Sequence, residues 1–356
     1  MDPLKLAHAL SSRGEPGYRL GQILEAVYKR GAASYAEIRV LPAPLREALA
    51  PQAPILSLTE RRLLVSKDGR SRKAALALAD GLAIETVLLK PKPGPDWTTC
   101  ISCQAGCAVG CTFCATGLMG LKRSLTPEEI VDQVLYWVQH LKRALPLPPS
   151  AGEGRGEGSS VSGRVTNVVF MGMGEPFHCY ESVAESIRQL TDPARLGLAQ
   201  RHIAVSTAGL APGIERFATD FPQVSLALSL HAANDRLRSK LVPVNKAYPL
   251  ARLAESLRVY LAKTNRRVFL EYVLLAGEND TPGHAGELAA FVRKTGPVHR
   301  FHVNLIAWNP TRTSHAAPAA AQARVFKAEL EKAGLSVTIR KNLGQDIQGA
   351  CGQLIQ

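Results

Sequence analysis

Cys100–Gly117 reads CISCQAGCAVGCTFCATG, and five of the chain's seven cysteines fall within it. Cys107, Cys111 and Cys114 form a C-x3-C-x2-C run, with the aromatic Phe113 just before its last member. Structural zinc closes with four ligands, usually as two short-spaced couples. A single run of three thiolates suits a four-iron cluster that leaves one iron open to a small molecule. Cys100 and Cys103 are spare thiols on the same stretch, and either would be the fourth ligand if the metal were zinc.

Outward from this stretch the chain alternates strand and helix. Strands are expected at Thr98–Ser102, Val165–Met171, His202–Ser206, Val224–Leu230, Val268–Leu274, Phe301–Ala307 and Leu335–Arg340. Thr126-Pro127-Glu128-Glu129 opens a helix: a threonine cap, a proline at the first helical position and a glutamate completing a capping box. Ile130, Val131, Val134, Leu135 and Val138 give it an apolar face. A last helix is expected near Pro318–Ala333. Six βα units with polar residues just past the strands predict an α/β fold, a partial TIM-like (β/α)6 barrel with its chemistry at the carboxyl ends of the strands. Leu145–Gly163, rich in Pro, Gly, Ser and Glu, interrupts the pattern and reads as a disordered surface insertion.

Ahead of the barrel the chain looks helical to about residue 55. Leu20, Ile23, Leu24 and Val27 mark the buried face of a helix over Gly17–Arg30, and shorter pieces follow at Ser34–Ile38 and Pro44–Ala50. Arg62–Ser66, Lys73–Ala79 and Ala83–Leu89 read as strands turned at Asp68-Gly69 and Asp80-Gly81. The proline-rich Lys90–Asp96 ends this part. The plan is therefore a small N-terminal α+β accessory domain over 1–90, the barrel over 91–340 with the insertion at 145–163, and a C-terminal segment over 341–356 that carries Cys351.

Lys and Arg number 43 against 30 Asp and Glu, a net charge of +13. That excess favours a polyanionic partner. It gathers in Arg61-Arg62, Lys67–Lys73, Lys122-Arg123, Arg266-Arg267 and Arg340-Lys341. No apolar run reaches the length of a membrane span, and the N-terminus lacks a secretory pattern. Clustered cysteines in odd number argue against a disulfide framework and for a reducing compartment. The expectation is a cytoplasmic protein with no membrane contact.

Further groups stand at the expected strand ends. Phe170–Pro176 (FMGMGEP) follows a strand, its glycines permit close backbone approach, and Glu175 could accept hydrogen bonds from an ammonium. Ser206, Ser229-Leu230-His231 and Asn309 lie at or just past other strand ends. Cys351, between Gly349-Ala350 and Gly352, is a flexible thiol. Cys100 and Cys351 are two spare thiols, one on each side of the cluster in sequence, which suggests covalent chemistry. Glu85 on a strand reads as an ordinary solvated glutamate, and no role is assigned to Cys103 or Cys179.

The C-x3-C-x2-C run resembles the signature of radical S-adenosylmethionine enzymes. With GMGEP, RHIAVSTAGL, LALSLHAANDRLRSKLVPVN, VNLIAWNP and DIQGACGQL, the chain resembles the RlmN/Cfr family of radical S-adenosylmethionine RNA methyltransferases from about Gly17 to Gln353. The resemblance implies a 4Fe–4S cluster on Cys107, Cys111 and Cys114, and S-adenosylmethionine contacted by Gly174, Glu175, Ser206, Ser229, Leu230, His231 and Asn309. It implies methylation of adenine carbon 2 in 23S rRNA, and often of a tRNA adenine, with electrons from a donor such as flavodoxin or ferredoxin. By the family pattern Cys351 is methylated, a deoxyadenosyl radical takes a hydrogen from that methyl, and the carbon adds to the base. Cys100 then attacks the sulfur of Cys351, and the resulting disulfide frees the product. Glu85 matches the proton acceptor. Cys103 stands where the family usually has serine. Two alternatives remain: a Cfr-type enzyme acting on carbon 8 and giving antibiotic resistance, against which Asp80–Leu88 speaks, and a non-catalytic RNA-binding or ribosome-assembly protein with a zinc-held loop.

Overall fold

The computed structural model describes residues 1–143, 163–311 and 313–354. Apart from Gly163, the insertion expected at 145–163 lies outside the described residues. Short runs of Val, Leu, Ile and Thr, apolar on both faces, make the strands: β-branched and aliphatic residues favour the pleat, and two covered faces favour parallel pairing.

Three strands, β1 (Thr59–Val65), β2 (Ser71–Ala77) and β3 (Ala83–Leu89), form an antiparallel meander turned at the two Asp-Gly pairs. β4 (Asp96–Cys100) pairs antiparallel with β3, so the sheet runs unbroken from the N-terminal part into the barrel. β5 (Gln104–Gly106) and β6 (Leu121–Ser124) form a separate two-stranded ribbon, which the sequence pattern does not announce. β7 (Arg164–Phe170) then pairs parallel with β4, followed in parallel order by β8 (Ile203–Thr207), β9 (Ser225–Ser229), β10 (Val268–Leu274), β11 (Phe301–Ala307) and β12 (Ser336–Ile339). The order β1-β2-β3-β4-β7-β8-β9-β10-β11-β12 ends on two unpaired edges, so this is an open, partial barrel. Its crossovers contain the helices Pro127–Arg143, Tyr180–Thr191, Ala211–Asp220, Leu250–Lys263, Pro282–Thr295 and Ala320–Lys332.

β10 and β11 coincide with the strands expected from sequence, and the other barrel strands agree within a residue or two. The expected capping box is present: Thr126 Oγ1 accepts from the Glu129 N–H at 3.2 Å, and Glu129 Oε2 accepts from the Thr126 N–H at 2.9 Å. Over Gly17–Arg30 the helix is regular only from Tyr18 to Leu24 and widens to a π turn over Glu25–Lys29. Ala26, Val27 and Tyr28 are buried on that wider turn.

The helix Pro127–Arg143 is the spine between the two parts. Trp137 is fully buried, and its indole N–H donates to Thr86 Oγ1 at 3.1 Å, which in turn donates to the Cys100 carbonyl at 2.9 Å. Truncating such an indole to alanine costs about 3–5 kcal/mol. The packing of this helix is thereby tied to the strand that delivers the cysteine stretch.

Candidate active site

The cysteine stretch begins where β4 ends. Ser102 is fixed from every side: its N–H donates to Gln133 Oε1 at 2.8 Å, its hydroxyl donates to the Glu85 carbonyl at 2.6 Å, and that hydroxyl accepts from the Met173 N–H at 2.8 Å. The ribbon β5–β6 follows and closes the base of the loop. Gly106 has φ +82°, and a Cβ there would lie 1.9 Å from the Gly120 carbonyl oxygen, so only glycine fits. The Cys107 N–H bonds to that same oxygen at 3.1 Å, and the Cys114 N–H closes the loop on the Cys111 carbonyl at 3.2 Å.

Cys107, Cys111 and Cys114 all line one cavity at the carboxyl ends of the strands. Burial pushes all three thiols up, Cys107 to about 12. Thiols held this way need a metal's charge to deprotonate them. Among the described residues no three Cys, His, Asp or Glu side chains are placed to hold a single metal ion. A four-iron cluster asks something different, since each thiolate takes its own iron and the three need not converge on a point. Three soft thiolate donors around one cavity fit that group.

The facing wall is the strip after β7. Gly174 has φ +105°, and a Cβ there would meet Gln104 and the Cys103 thiol within 2.9 Å. Glu175 is buried, and its carboxylate accepts from the Phe177 N–H at 3.0 Å, Thr207 Oγ1 at 2.7 Å and the Ala208 N–H at 2.7 Å. Burial raises its pKa against the pull of those bonds. Ser206 and Ser229 line the cavity with their hydroxyls 3.1 Å apart. His231 sits at φ +59°, accepts from the Val273 N–H on Nδ1 at 3.0 Å and meets Phe113 edge-on at 4.7 Å. Burial, then the Arg238 charge, lowers its pKa to about 3, so the ring is neutral and carries its proton on Nε2. Leu230 is fully buried and stands behind the cavity wall: its carbonyl accepts from Arg238 Nε at 3.1 Å.

Cys351 closes the cavity from the C-terminal segment. Asn309 holds it there, donating from Nδ2 to the Cys351 carbonyl at 3.0 Å while accepting from Gln345 at 2.8 Å. Cys351 also lines a second, larger cleft together with Cys100 and Cys114. All seven cysteines are free thiols. Glu85 lines neither cavity; it is buried and paired with Lys73 at 2.9 Å. It is thus no solvated strand glutamate. The Cys103 thiol donates to the Met173 carbonyl at 3.7 Å and the Cys179 thiol to the Cys103 carbonyl at 3.6 Å, behind the strip.

Arg238 and Glu271 were missed by reading the sequence, and Arg340 was noted there only as half of a basic pair. Arg238 is fully buried and spreads its guanidinium over the carbonyls of Leu230, Ala208 and Ser229 and the amide of Asn245, which ties the ends of β8 and β9 together. Glu271 faces the cavity from β10, accepts from Asn304 at 2.8 Å and pairs with Arg340 at 3.4 Å. Arg340 lines both cavities beside Cys351. A lone carboxylate in the apolar strand VFLEYVL was a readable signal for Glu271; Arg238 carries none.

An open barrel with three thiols in the loop after its first parallel strand, facing a glycine-glutamate strip, defines a radical S-adenosylmethionine enzyme. No family model matches the chain. It is 40% identical to the dual-specificity RNA methyltransferase RlmN of Sorangium cellulosum, over 99% of this chain and 94% of that one. It is 40% identical to the ribosomal RNA large subunit methyltransferase N of Nitrosopumilus maritimus, over 99% of this chain and 96% of that one. The crystal structure of a radical SAM methyltransferase from Sphaerobacter thermophilus superposes with a TM-score of 0.88 at 42% identity, over 99% of this chain and 97% of that one. The chain belongs to the RlmN family of radical S-adenosylmethionine RNA methyltransferases. Enzymes of this class use S-adenosylmethionine and a 4Fe–4S cluster. Among the described residues no helix is long and apolar enough to cross a membrane.

Proposed function

We propose that this chain methylates carbon 2 of an adenine in 23S rRNA, and of an adenine in tRNA as well, by way of a methylated Cys351. The observation that carries the reading is that Cys100, Cys351 and Cys114 line one cleft. A spare thiol pair beside a cluster ligand has no use in plain methyl transfer from a sulfonium. It has one in releasing a product bonded to a cysteine.

Carbon 2 of adenine is electron-poor and cannot displace a methyl group from a sulfonium, so the methyl must be activated first. Bound S-adenosylmethionine and the cluster supply that radical chemistry. Cys107, Cys111 and Cys114 hold the cluster. Gly174, Glu175, Ser206, Ser229, Leu230, His231 and Asn309 form or back the cofactor strip. Glu175, held by three chain donors, turns its remaining acceptor capacity to the methionyl ammonium. Cys351 takes a methyl group as a thioether and presents it to the base. Once the methyl carbon is joined to the base, the ring proton is assigned to Glu85, which has to turn from Lys73 toward the cleft to take it. Cys100 attacks the sulfur of Cys351; the S–S bond forms, the S–C bond breaks, and the carbon keeps the electron pair and takes a proton to become the methyl group of the product. Flavodoxin or ferredoxin supplies the electron, and the cytoplasm is the compartment that keeps the thiols reduced.

Anaerobic purification tests this directly. The expected protein is brown, carries about four irons per chain with matching sulfide, and yields RNA with a methyl group on adenine carbon 2. Cys351→Ala abolishes the product. Stoichiometric zinc without iron overturns the reading, and methylation of carbon 8 alone overturns its regiochemistry.

A further inference from the structure

The two cavities share a wall that includes Cys114, Met171, Gly172, Arg340 and Cys351, yet their charges differ. The first holds two buried carboxylates, Glu175 and Glu271, and one cation, Arg340. The second is lined by four cations, Arg70, Arg201, Arg340 and Lys341, and by no Asp or Glu. A cavity with carboxylates suits a cofactor bearing ammonium and sulfonium groups. A cleft with cations and no acid suits an anion.

The second cleft follows the inner face of the sheet. Asn167 and Val169 of β7, and Met171 just past its end, line it at every second position, as do Thr98 and Cys100 of β4. It therefore runs from the amino half of the strands up to the shared wall. Its volume of about 700 Å³ lies in the range of small-molecule sites. Arg201, just before β8, and Lys341, just after β12, are exposed, whereas Cys100 is buried. Exposed cations thus stand at the mouth and the buried Cys100 at the inner end, while Cys351 is exposed where the cleft meets the shared wall. Neither Arg201 nor Lys341 has a carboxylate partner among the described residues. The Arg70 guanidinium is oriented by the neutral carbonyls of Lys90 at 3.1 Å and Pro91 at 2.7 Å, with the Asp68 carboxylate on its backbone N–H at 3.0 Å.

We infer that this second cleft is the site where the target nucleotide of the RNA enters, with Arg201, Lys341 and Arg70 meeting backbone phosphates and the base reaching Cys351 at the shared wall. The inference rests on the RNA reading above and adds to it the route and the phosphate contacts. A base on this path must be unstacked and enter singly, because the cleft admits a nucleotide and not a duplex. It meets Cys351 at the wall shared with the cofactor cavity. The shared wall is thus where methyl donor and base converge.

The test uses the iron-loaded enzyme and a fluorescein-labelled RNA hairpin with an unpaired adenosine in its loop, followed by anisotropy at several KCl concentrations. The Arg201→Glu/Lys341→Glu double variant is compared with a Lys294→Glu control on an exposed helix position. Expected for the double variant is an affinity loss of about 100-fold and a salt slope lower by about two. Its iron content and its Cys351 methylation without RNA stay at wild-type level, which shows that the fold and cofactor cavity are intact. The control binds like wild type. A double variant that binds with wild-type affinity and slope, from an enzyme that still makes methyladenosine, overturns the cleft assignment and leaves the functional reading standing. If the double variant loses binding but the wild type makes no methyladenosine, the cleft assignment holds and the functional reading fails.

Discussion

Cys100, the last residue of β4, and Cys351, in the C-terminal segment, line the same cleft although most of the barrel lies between them in sequence. Burial, then the neighbouring charge of Cys351, pushes the Cys100 thiol up to about 12. The attacking species is the thiolate, which is scarce at neutral pH. The release step is therefore expected to accelerate about tenfold per pH unit between pH 7 and 9, since the whole window lies below the folded pKa. Quenched-flow gels that follow decay of a protein–RNA adduct measure it. Cys100→Ala should trap the adduct at every pH. A flat profile would mean that another group deprotonates Cys100 first.

Glu85 and Lys73 form a buried pair on adjacent strands, with side chains 4% and 7% exposed. Removing one partner from such a pair costs about 3–5 kcal/mol, while replacing both with neutral groups costs far less. Lys73→Met should therefore lower the free energy of urea unfolding by that amount, and adding Glu85→Gln should restore most of it. Glu85→Gln in the Lys73→Met background separates structure from chemistry, since no unpaired charge is left buried: Cys351 methylation persists and RNA product stops. Loss of Cys351 methylation as well would return Glu85 to a purely structural role.

The barrel was legible because its strands are short apolar runs bounded by turn residues, as in Val268–Leu274 and Phe301–Ala307. The cavity residues were legible because the chain returns to one mouth after each strand, so positions such as Ser206, Ser229 and Asn309 share a location by topology alone. What stayed hidden depends on side-chain reach across elements. Arg238 looks like one more basic residue in LRSKL until its guanidinium is seen bonded to Ala208 and Ser229. Glu85 looks solvated until Lys73 is found beside it. The ribbon β5–β6 escapes notice because three- and four-residue strands carry no period.

His231 gives the protein a pH dependence of known sign. Its folded pKa of about 3 lies below the ordinary histidine value, so the unfolded chain binds a proton that the folded chain refuses. The contribution is fully present above about pH 6.5 and is lost as pH falls toward 3. Between pH 6.5 and 5 the loss is about 2 kcal/mol. Urea unfolding of wild type and His231→Gln at pH 7 and pH 5 isolates this group from the carboxylates, which titrate in both. The gap between the two proteins should narrow by that amount at pH 5. An unchanged gap would show that the ring takes up its proton in the folded state.

Gly106 decides whether the cluster loop closes. Its φ of +82° costs an L-residue about 1–2 kcal/mol, but Gly120, at φ +66° in the same ribbon, shares that strain. The two differ in what a methyl group would meet. At Gly120 nothing lies within 4 Å, whereas at Gly106 the Gly120 carbonyl oxygen is 1.9 Å away. That atom is backbone, so no rotamer change relieves the contact; β5 and β6 must separate, and the bond from the Cys107 N–H to the same oxygen goes with them. Gly106→Ala should then fold with its barrel intact by far-ultraviolet circular dichroism yet take up well under half the iron of wild type on reconstitution. Gly120→Ala should lose about 1–2 kcal/mol of stability and load iron normally. Equal iron uptake by the two variants would mean that the position of Cys107 is set by the other two ligands and not by the ribbon beneath it.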